Sequence, residues 1–309
     1  VDIFLQQILN GLVLGSIYAL IALGYTMVYG IMGLINFAHG EVVMMGAMVA
    51  ITVINVLSGA GVALPGPVMV LLALLIAIPA CALLGFTIER VAYRPLRNAP
   101  KLAPLITAIG LSIVLQQVAI LIWGRNYISF PQILPHDTLT FLGATITKLQ
   151  VVIVLLCLAL MVGLLVMVEK TKLGRAMRAT SQNPAVASLM GVNVNTIVSA
   201  TFMLGSGLGA VAGVMVAANY DQAHYYMGFL IGLKAFTAAV LGGIGNLGGA
   251  VVGGILLGLI ESLGAGYIGT LTGGFLGSNY QDIFAFMVLI LVLIFRPSGL
   301  LGEKMADRA

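Results

Sequence analysis

The sequence predicts an all-α fold, a polytopic transmembrane helix bundle of about eight spans. Three observations predict it. Of 309 residues, 61% are hydrophobic and only 8% charged, whereas soluble domains carry about 25% charged residues. The apolar residues gather in long stretches separated by short polar gaps, and a run of roughly 20 such residues crosses the hydrocarbon core as a helix. The chain also holds 39 glycines, and small residues let helix backbones approach closely in lipid, where dispersion replaces the missing hydrophobic drive.

In chain order, the apolar stretches run over 3–30, 42–57, 66–88, 102–123, 149–168, 196–218, 228–244, 247–263 and 281–295. Those at 42–57, 228–244, 247–263 and 281–295 are short. Broken or re-entrant segments are therefore expected near 31–57 and 228–254, and the count ranges over roughly 8–10 spans. The first stretch is too long for a signal-peptide core and no A-x-A site follows it, so it reads as a retained span. The longest polar gaps, 124–148 and 169–195, are too short for a soluble domain. The whole chain, 1–309, reads as a single transmembrane domain. Cys81 and Cys157 lie inside apolar stretches and read as inert packing residues.

Charge placement orients the bundle. Eleven of the 14 Lys and Arg fall in three segments: Arg90, Arg94, Arg97 and Lys101; Lys170, Lys172, Arg175 and Arg178; and Arg296, Lys304 and Arg308. The positive-inside rule puts all three in the cytoplasm, which makes 169–195 a cytoplasmic loop. The gap 124–148, the segment 219–227 and the Gly-rich 264–280 then lie outside. Three full spans before Arg90 put Val1 outside; a stretch 42–57 that turns back puts it inside.

Gly205, Gly209 and Gly213 recur every four residues, as do Gly249/Gly253, Gly254/Gly258 and Gly11/Gly15. Such stripes suit tight packing within one subunit first, and a dimer or sliding interface second. In 241–254, LGGIGNLGGAVVGG, glycines are too dense for a regular helix, and 241–249 reads as a hairpin turn or helix break. It lacks the Gly-Lys-Ser/Thr ending of a nucleotide loop.

The segment 169–191, EKTKLGRAMRATSQNPAVASLMG, departs from this apolar background. Asn183 is a favoured N-cap, Pro184 suits the first helical position and Gly191 suits the stop. These signals predict one helix of about seven residues, roughly 10 Å long. Val186, Leu189 and Met190 share one face of it. A helix this short is marginal alone, so its apolar face calls for a partner outside the bilayer or a seat on lipid headgroups.

Ionisable residues inside the membrane are costly and mark function by default. The densest cluster is INFAHGE, 35–41, with Asn36, His39 and Glu41. It reads either as a structural network at a helix start, with Asn36 or His39 as cap, or as lining of a substrate path. Metal-ligand spacing is not evident there. Lys234 and Glu261 are the other candidates for the path; each is near enough to a stretch end to snorkel, and the two could instead pair with one another, which nothing in the sequence shows. Glu89 reads as a loop anchor. Asp221 and His224 with Tyr220, Tyr225 and Tyr226 fit an interfacial belt or a docking surface for an external protein.

No Walker A, kinase or G-x-S-x-G motif is present, nor an Arg ladder or TVGYG filter. An enzyme is not indicated, and a transporter is. Three architectures compete: a permease energised by separate ATPases, a secondary transporter and a passive channel. A rigid cytoplasmic helix with one apolar face, flanked by Arg175 and Arg178, suits the first, because a soluble motor needs an element to push on.

Five motifs resemble the permease subunits of branched-chain amino acid ABC importers: LGSIYALIALGYTMVYGIMGLINFAHGE (14–41), IERVAYRPLR (88–97), LGRAMRATSQNPAVASLMGVN (173–193), KAFTAAVLGGIGNLGGAVVGG (234–254) and RPSGLLG (296–302). The resemblance spans nearly the whole chain and is strongest to the smaller of the two permeases that pair in such importers. It implies a bacterial inner-membrane subunit that translocates leucine, isoleucine or valine by alternating access. It also implies partners: a second homologous permease, two cytoplasmic ATPase subunits that hold ATP and Mg, and a periplasmic or lipid-anchored substrate-binding protein. It implies no cofactor on this chain and no nucleic acid. The loop matching 173–193 is the expected ATPase contact, which carries over to Pro184, Ala185, Leu189 and Gly191. The E-A-A-x-x-x-G pattern of many importers is incomplete here: Ala185, Ala187 and Gly191 are present and the Glu is not. Permeases for urea and short amides share similar openings and are the alternative substrate class.

Overall fold

The structure is a computed structural model that describes residues 2–61, 64–100, 102–134, 137–141, 143–273 and 280–302. Lys101, Lys304 and Arg308 of the basic segments, and 274–279 of the Gly-rich outer segment, lie outside the described residues. The helices are α1 (Asp2–Met32), α2 (His39–Gly59), α3 (Gly66–Ile88), α4 (Leu102–Trp123), α5 (Lys148–Lys170), α6 (Lys172–Gln182), α7 (Pro184–Leu189), α8 (Val194–Tyr220), α9 (Met227–Gly242), α10 (Leu247–Leu271) and α11 (Gln281–Phe295). A π-helical turn, Glu89–Tyr93, and a 3-10 turn, Arg94–Leu96, prolong α3. Four short strands, β1 (Ile128–Ser129), β2 (Thr138–Phe141), β3 (Ala144–Thr147) and β4 (Gln222–Ala223), complete the described elements.

The spanning helices are apolar nearly all round, as membrane helices must be, and they are helical because only internal hydrogen bonds satisfy a backbone in lipid. Among the described residues, α1, α2, α3, α4, α5, α8 and α10 are long and apolar enough to cross a membrane, while α9 and α11 are shorter apolar helices. With 16 residues, α9 reaches only about 24 Å. The expected breaks fall at 33–38 and 243–246; the second is shorter than the expected 241–249, because Gly248, Gly249, Gly253 and Gly254 lie in the regular helix α10, where the last three pack against α9 and α1. Gly33 (φ +64°) ends α1 and Gly243 (φ +108°) ends α9, conformations that glycine adopts without strain. α2 is longer than the stretch 42–57, because the polar run His39–Gly40–Glu41 forms its first turn.

α1 and α8 form the centre: 89% and 78% of their most apolar windows are buried, against 28% for α4 and for α5. α1 packs antiparallel to α10, with Gly11 and Gly15 meeting Leu259 and Ile255, and Gly254 meeting Ala19. On α8, Gly205 faces Gly24, Gly209 faces His39 and Gly213 faces the Val43 carbonyl. These stripes therefore pack within the chain. A Cβ on Gly258 would lie 2.2 Å from the Gly15 nitrogen, whereas one on Gly110 of α4 meets nothing within 4 Å. Gly258→Ala is expected to destabilise by about 1–3 kcal/mol through overpacking. Gly110→Ala is expected to be neutral or to stabilise by up to about 1 kcal/mol. Thermal melts of the two detergent-solubilised variants check both signs.

The two ends of the bundle differ. At one end β1 pairs with β4 and β2 with β3, both antiparallel. The Gln6 amide donates to the Thr145 carbonyl (2.9 Å) and accepts from the Thr145 N–H (2.8 Å), so α1 begins at this end. Lys148 donates to Asp137 at 2.7 Å and holds its carboxyl below the usual range, although both groups are largely exposed and such a pair adds little. At the other end Arg94 and Arg97 meet the start of α8, and the Leu300 and Leu301 N–H groups bond the Leu241 and Gly242 carbonyls at 2.9 Å. The positive-inside rule makes this the cytoplasmic end. α1 through α3 thus cross three times before Arg90, the alternative that starts α1 outside.

Candidate functional site

The cytoplasmic end carries the loop 171–193, which holds two helices where the sequence predicted one. Thr171 accepts from the Gly174 N–H (3.1 Å) and starts α6. Gly174, Met177 and Thr180, spaced by three, form its buried face. The segment reads as loop in sequence because its polar residues mask that short stripe.

α7 forms as its cap residues dictate. The Asn183 side chain accepts from the Val186 N–H at 3.1 Å, and Pro184 occupies the first turn. The stop is a paired motif, with Gly191 N–H to the Ser188 carbonyl and Val192 N–H to the Ala187 carbonyl, both 3.0 Å. It requires the φ of +86° found at Gly191, as in a Schellman cap. Ala187 is buried against the protein, while Val186, Leu189 and Met190 are 53%, 86% and 81% exposed. Pro184, Ala185, Gly191 and Arg175 are exposed as well. Arg178 plays a different part. Its guanidinium bonds the Val168 carbonyl, and at 3.4 Å the Glu169 carbonyl, at the end of α5. There a cation complements the helix dipole and fixes α6 to α5.

Beside this loop, Glu89 is wholly buried. Arg94 reaches it at 2.8 Å, Arg97 pairs with its other oxygen, and the Ser199 hydroxyl donates to it at 2.7 Å. Through Ser199 the basic turn 89–97 is locked to the start of α8.

The polar residues of 35–41 do not converge on one another. Asn36 accepts from the Ala38 N–H (3.1 Å) and from the Tyr93 hydroxyl (2.9 Å). It stabilises the turn into α2, but neither it nor His39 caps that helix: the N-cap is Ala38, with no side-chain cap bond. The expectation of a side-chain cap fails because the chain enters α2 through a backbone turn, with the His39 N–H on the Asn36 carbonyl. His39 sits in a notch made by Gly24 and Gly209, edge-on to Tyr25 at 4.9 Å. Both glycines lie deep within their helices, so α2 starts at membrane depth. Glu41 turns away from His39 toward α4, where Ser112 and Gln116 donate to its Oε1 at 2.9 and 2.7 Å.

Lys234 and Glu261 do meet, at 2.7 Å, and Asp282 approaches the same ammonium at 2.8 Å. Tyr18 adds a 3.0 Å bond to the second Glu261 oxygen. Sequence reasoning does not reach Ser112, Gln116, Tyr18 or Asp282. Ser112 and Gln116 carry a usable signal, two polar residues four apart on an apolar helix and therefore on one face. Tyr18 and Asp282 carry none, since their partners are remote in the chain.

Two cavities adjoin these groups. One of about 220 Å³ lies in front of Ser112 and Gln116, against Tyr25, Ile113 and Phe229. The other, about 310 Å³, lies between α1, α8 and α9 and is lined by Tyr18, Tyr220 and Lys234 among apolar side chains. Tyr226 borders both.

A polytopic helical bundle, with ionic groups buried at membrane depth, cavities beside them and a short helix that exposes an apolar face on its basic end, defines a membrane transport subunit. The family model described as "Branched-chain amino acid transport system / permease component" matches residues 7–293, and the chain belongs to that family. It is 44% identical over 309 residues to the high-affinity branched-chain amino acid transport system permease protein BraD of Pseudomonas aeruginosa, covering 99% of this chain and 98% of BraD. It is 42% identical to LivH of Escherichia coli K12, of the same description, covering 99% and 97%. A probable LivH of Methanocaldococcus jannaschii is 29% identical over 97% and 94% of the two chains. No solved structure matches the chain.

Proposed function

We propose that this protein is a transmembrane permease subunit of an ATP-binding-cassette importer in the bacterial inner membrane, carrying leucine, isoleucine and valine inward by alternating access. The observation that carries the reading is near-complete coverage at 44% identity by a permease of that transport class. ATP and Mg are held by two separate cytoplasmic ATPases, a second homologous permease completes the pathway, and an external binding protein delivers substrate. The chain itself is a transport subunit with no catalytic centre of its own. α7 is the coupling helix: Leu189 with Val186 and Met190 enters the ATPase, Pro184, Ala185 and Gly191 shape the contact, and Arg175 flanks it. Arg178 supports it from behind by holding α6 on α5. The polar residues Asn36, His39, Glu41, Lys234 and Glu261 border or brace the substrate path.

The substrate assignment is tested by competition. In proteoliposomes holding the complete importer, unlabelled isoleucine and valine are expected to suppress ATP-dependent uptake of labelled leucine, and urea or acetamide in excess to leave it unchanged. Suppression by the amides and not by the amino acids would transfer the chain to the amide permeases.

A further inference from the structure

The larger cavity has the chemistry of an amino-acid site. An ammonium has three N–H donors; on Lys234 one goes to Glu261 Oε1 at 2.7 Å, and Asp282 Oδ1 lies 2.8 Å away as an ion-pair partner outside hydrogen-bond geometry. Lys234 also lines the cavity, so a remaining donor is available there. The Tyr18 hydroxyl, on the same wall, donates to Glu261 Oε2 and keeps its lone pairs for an incoming donor. Leu14, Ile17, Leu230 and Ile231 supply apolar walls around this polar end. On the rim, Tyr127 stacks on His224 with ring centroids 4.4 Å apart, and such rings attract cations. The volume of about 310 Å³ is at the small end of ligand pockets, which run from about 300 to 1,000 Å³.

We propose that this cavity is a transit site for a zwitterionic amino acid with an apolar side chain, a refinement that rests on the importer reading above. The α-carboxylate takes a remaining donor of Lys234. The α-ammonium faces the Tyr18 oxygen and the Tyr127–His224 rim. The side chain lies against Ile17 and Ile231. One cation and two carboxylates leave the cluster Lys234, Glu261 and Asp282 with a formal charge of −1 (+1 − 2). It therefore accepts a zwitterion and rejects an acidic amino acid.

The test uses the complete importer with its binding protein in proteoliposomes, reading leucine uptake and ATP hydrolysis together. Ile231→Trp fills the cavity and leaves the ionic cluster intact. It is expected to lower leucine uptake about tenfold or more, to spare the smaller valine relative to leucine, and to keep ATP hydrolysis within about twofold. ATP consumed per leucine then rises, which a purely structural lesion would not produce. A folded Ile231→Trp importer with unchanged leucine uptake overturns the site while leaving the importer reading intact. A wild-type importer that moves no branched-chain amino acid overturns both. As a check free of mutation, a diazirine analogue of leucine should label α9 near Ile231 in the unaltered complex, with protection by leucine and none by aspartate. Labelling confined to helices other than α1, α8 and α9 overturns the proposal.

Discussion

Leu189→Glu is expected to leave the permease folded and inserted, and to abolish its co-purification with the ATPase subunits. The side chain is 86% exposed and α7 is held by its own caps and the buried Ala187, so a carboxylate there disturbs nothing inside the chain. At an interface the same change replaces an aliphatic anchor with a charge that must be desolvated. Losing a central anchor costs about 2 kcal/mol or more, roughly a 30-fold loss of affinity, and the buried charge adds to it. Size-exclusion chromatography shows that the variant folds, and pull-down of the ATPases reads the effect. Undiminished pull-down would show that α7 is not the contact.

Glu89→Ala is expected to have the largest effect on the permease itself. It leaves Arg94 and Arg97 facing a buried void and removes the Ser199 link between the basic turn and α8. Breaking a buried pair costs about 3–5 kcal/mol. The arginines are 31% and 22% exposed, so solvent offsets part of this and a loss of about 2–3 kcal/mol is expected. A clear fall in the thermal midpoint of the solubilised permease is the readout. The Glu89→Ala, Arg94→Ala double variant should lose less than the sum of its singles, since the first change already removes the partner of the second. Additive losses would mean that Glu89 acts through packing alone.

What could be read from the chain alone followed the range of the interaction. The caps of α7 were legible because Asn183, Pro184 and Gly191 act within a few residues of one another. The breaks at 33–38 and 243–246 were legible from polar and glycine density in otherwise apolar sequence. α6 was not, because its buried stripe is a Gly, a Met and a Thr in a segment dominated by charge. The glycine stripes announced close packing but not its partners: the antiparallel match of α1 with α10 joins residues more than 200 positions apart. The candidate path residues split for the same reason. Lys234 and Glu261 were visible singly, and their meeting with Tyr18 and Asp282 depends on how four helices pack. The charge of Arg178 suggested a place on the coupling surface, yet the geometry spends that charge on the carbonyls ending α5.

The source of energy is the central claim, and one reconstitution addresses it. Leucine uptake is measured in liposomes holding this chain with the second permease, both ATPases and the binding protein, and in liposomes holding this chain alone. Uptake that requires the partners and hydrolysable ATP, and that is indifferent to proton and sodium gradients, is the result predicted. Robust gradient-driven uptake by the chain alone, without ATPases, would contradict the account and make the protein a secondary transporter.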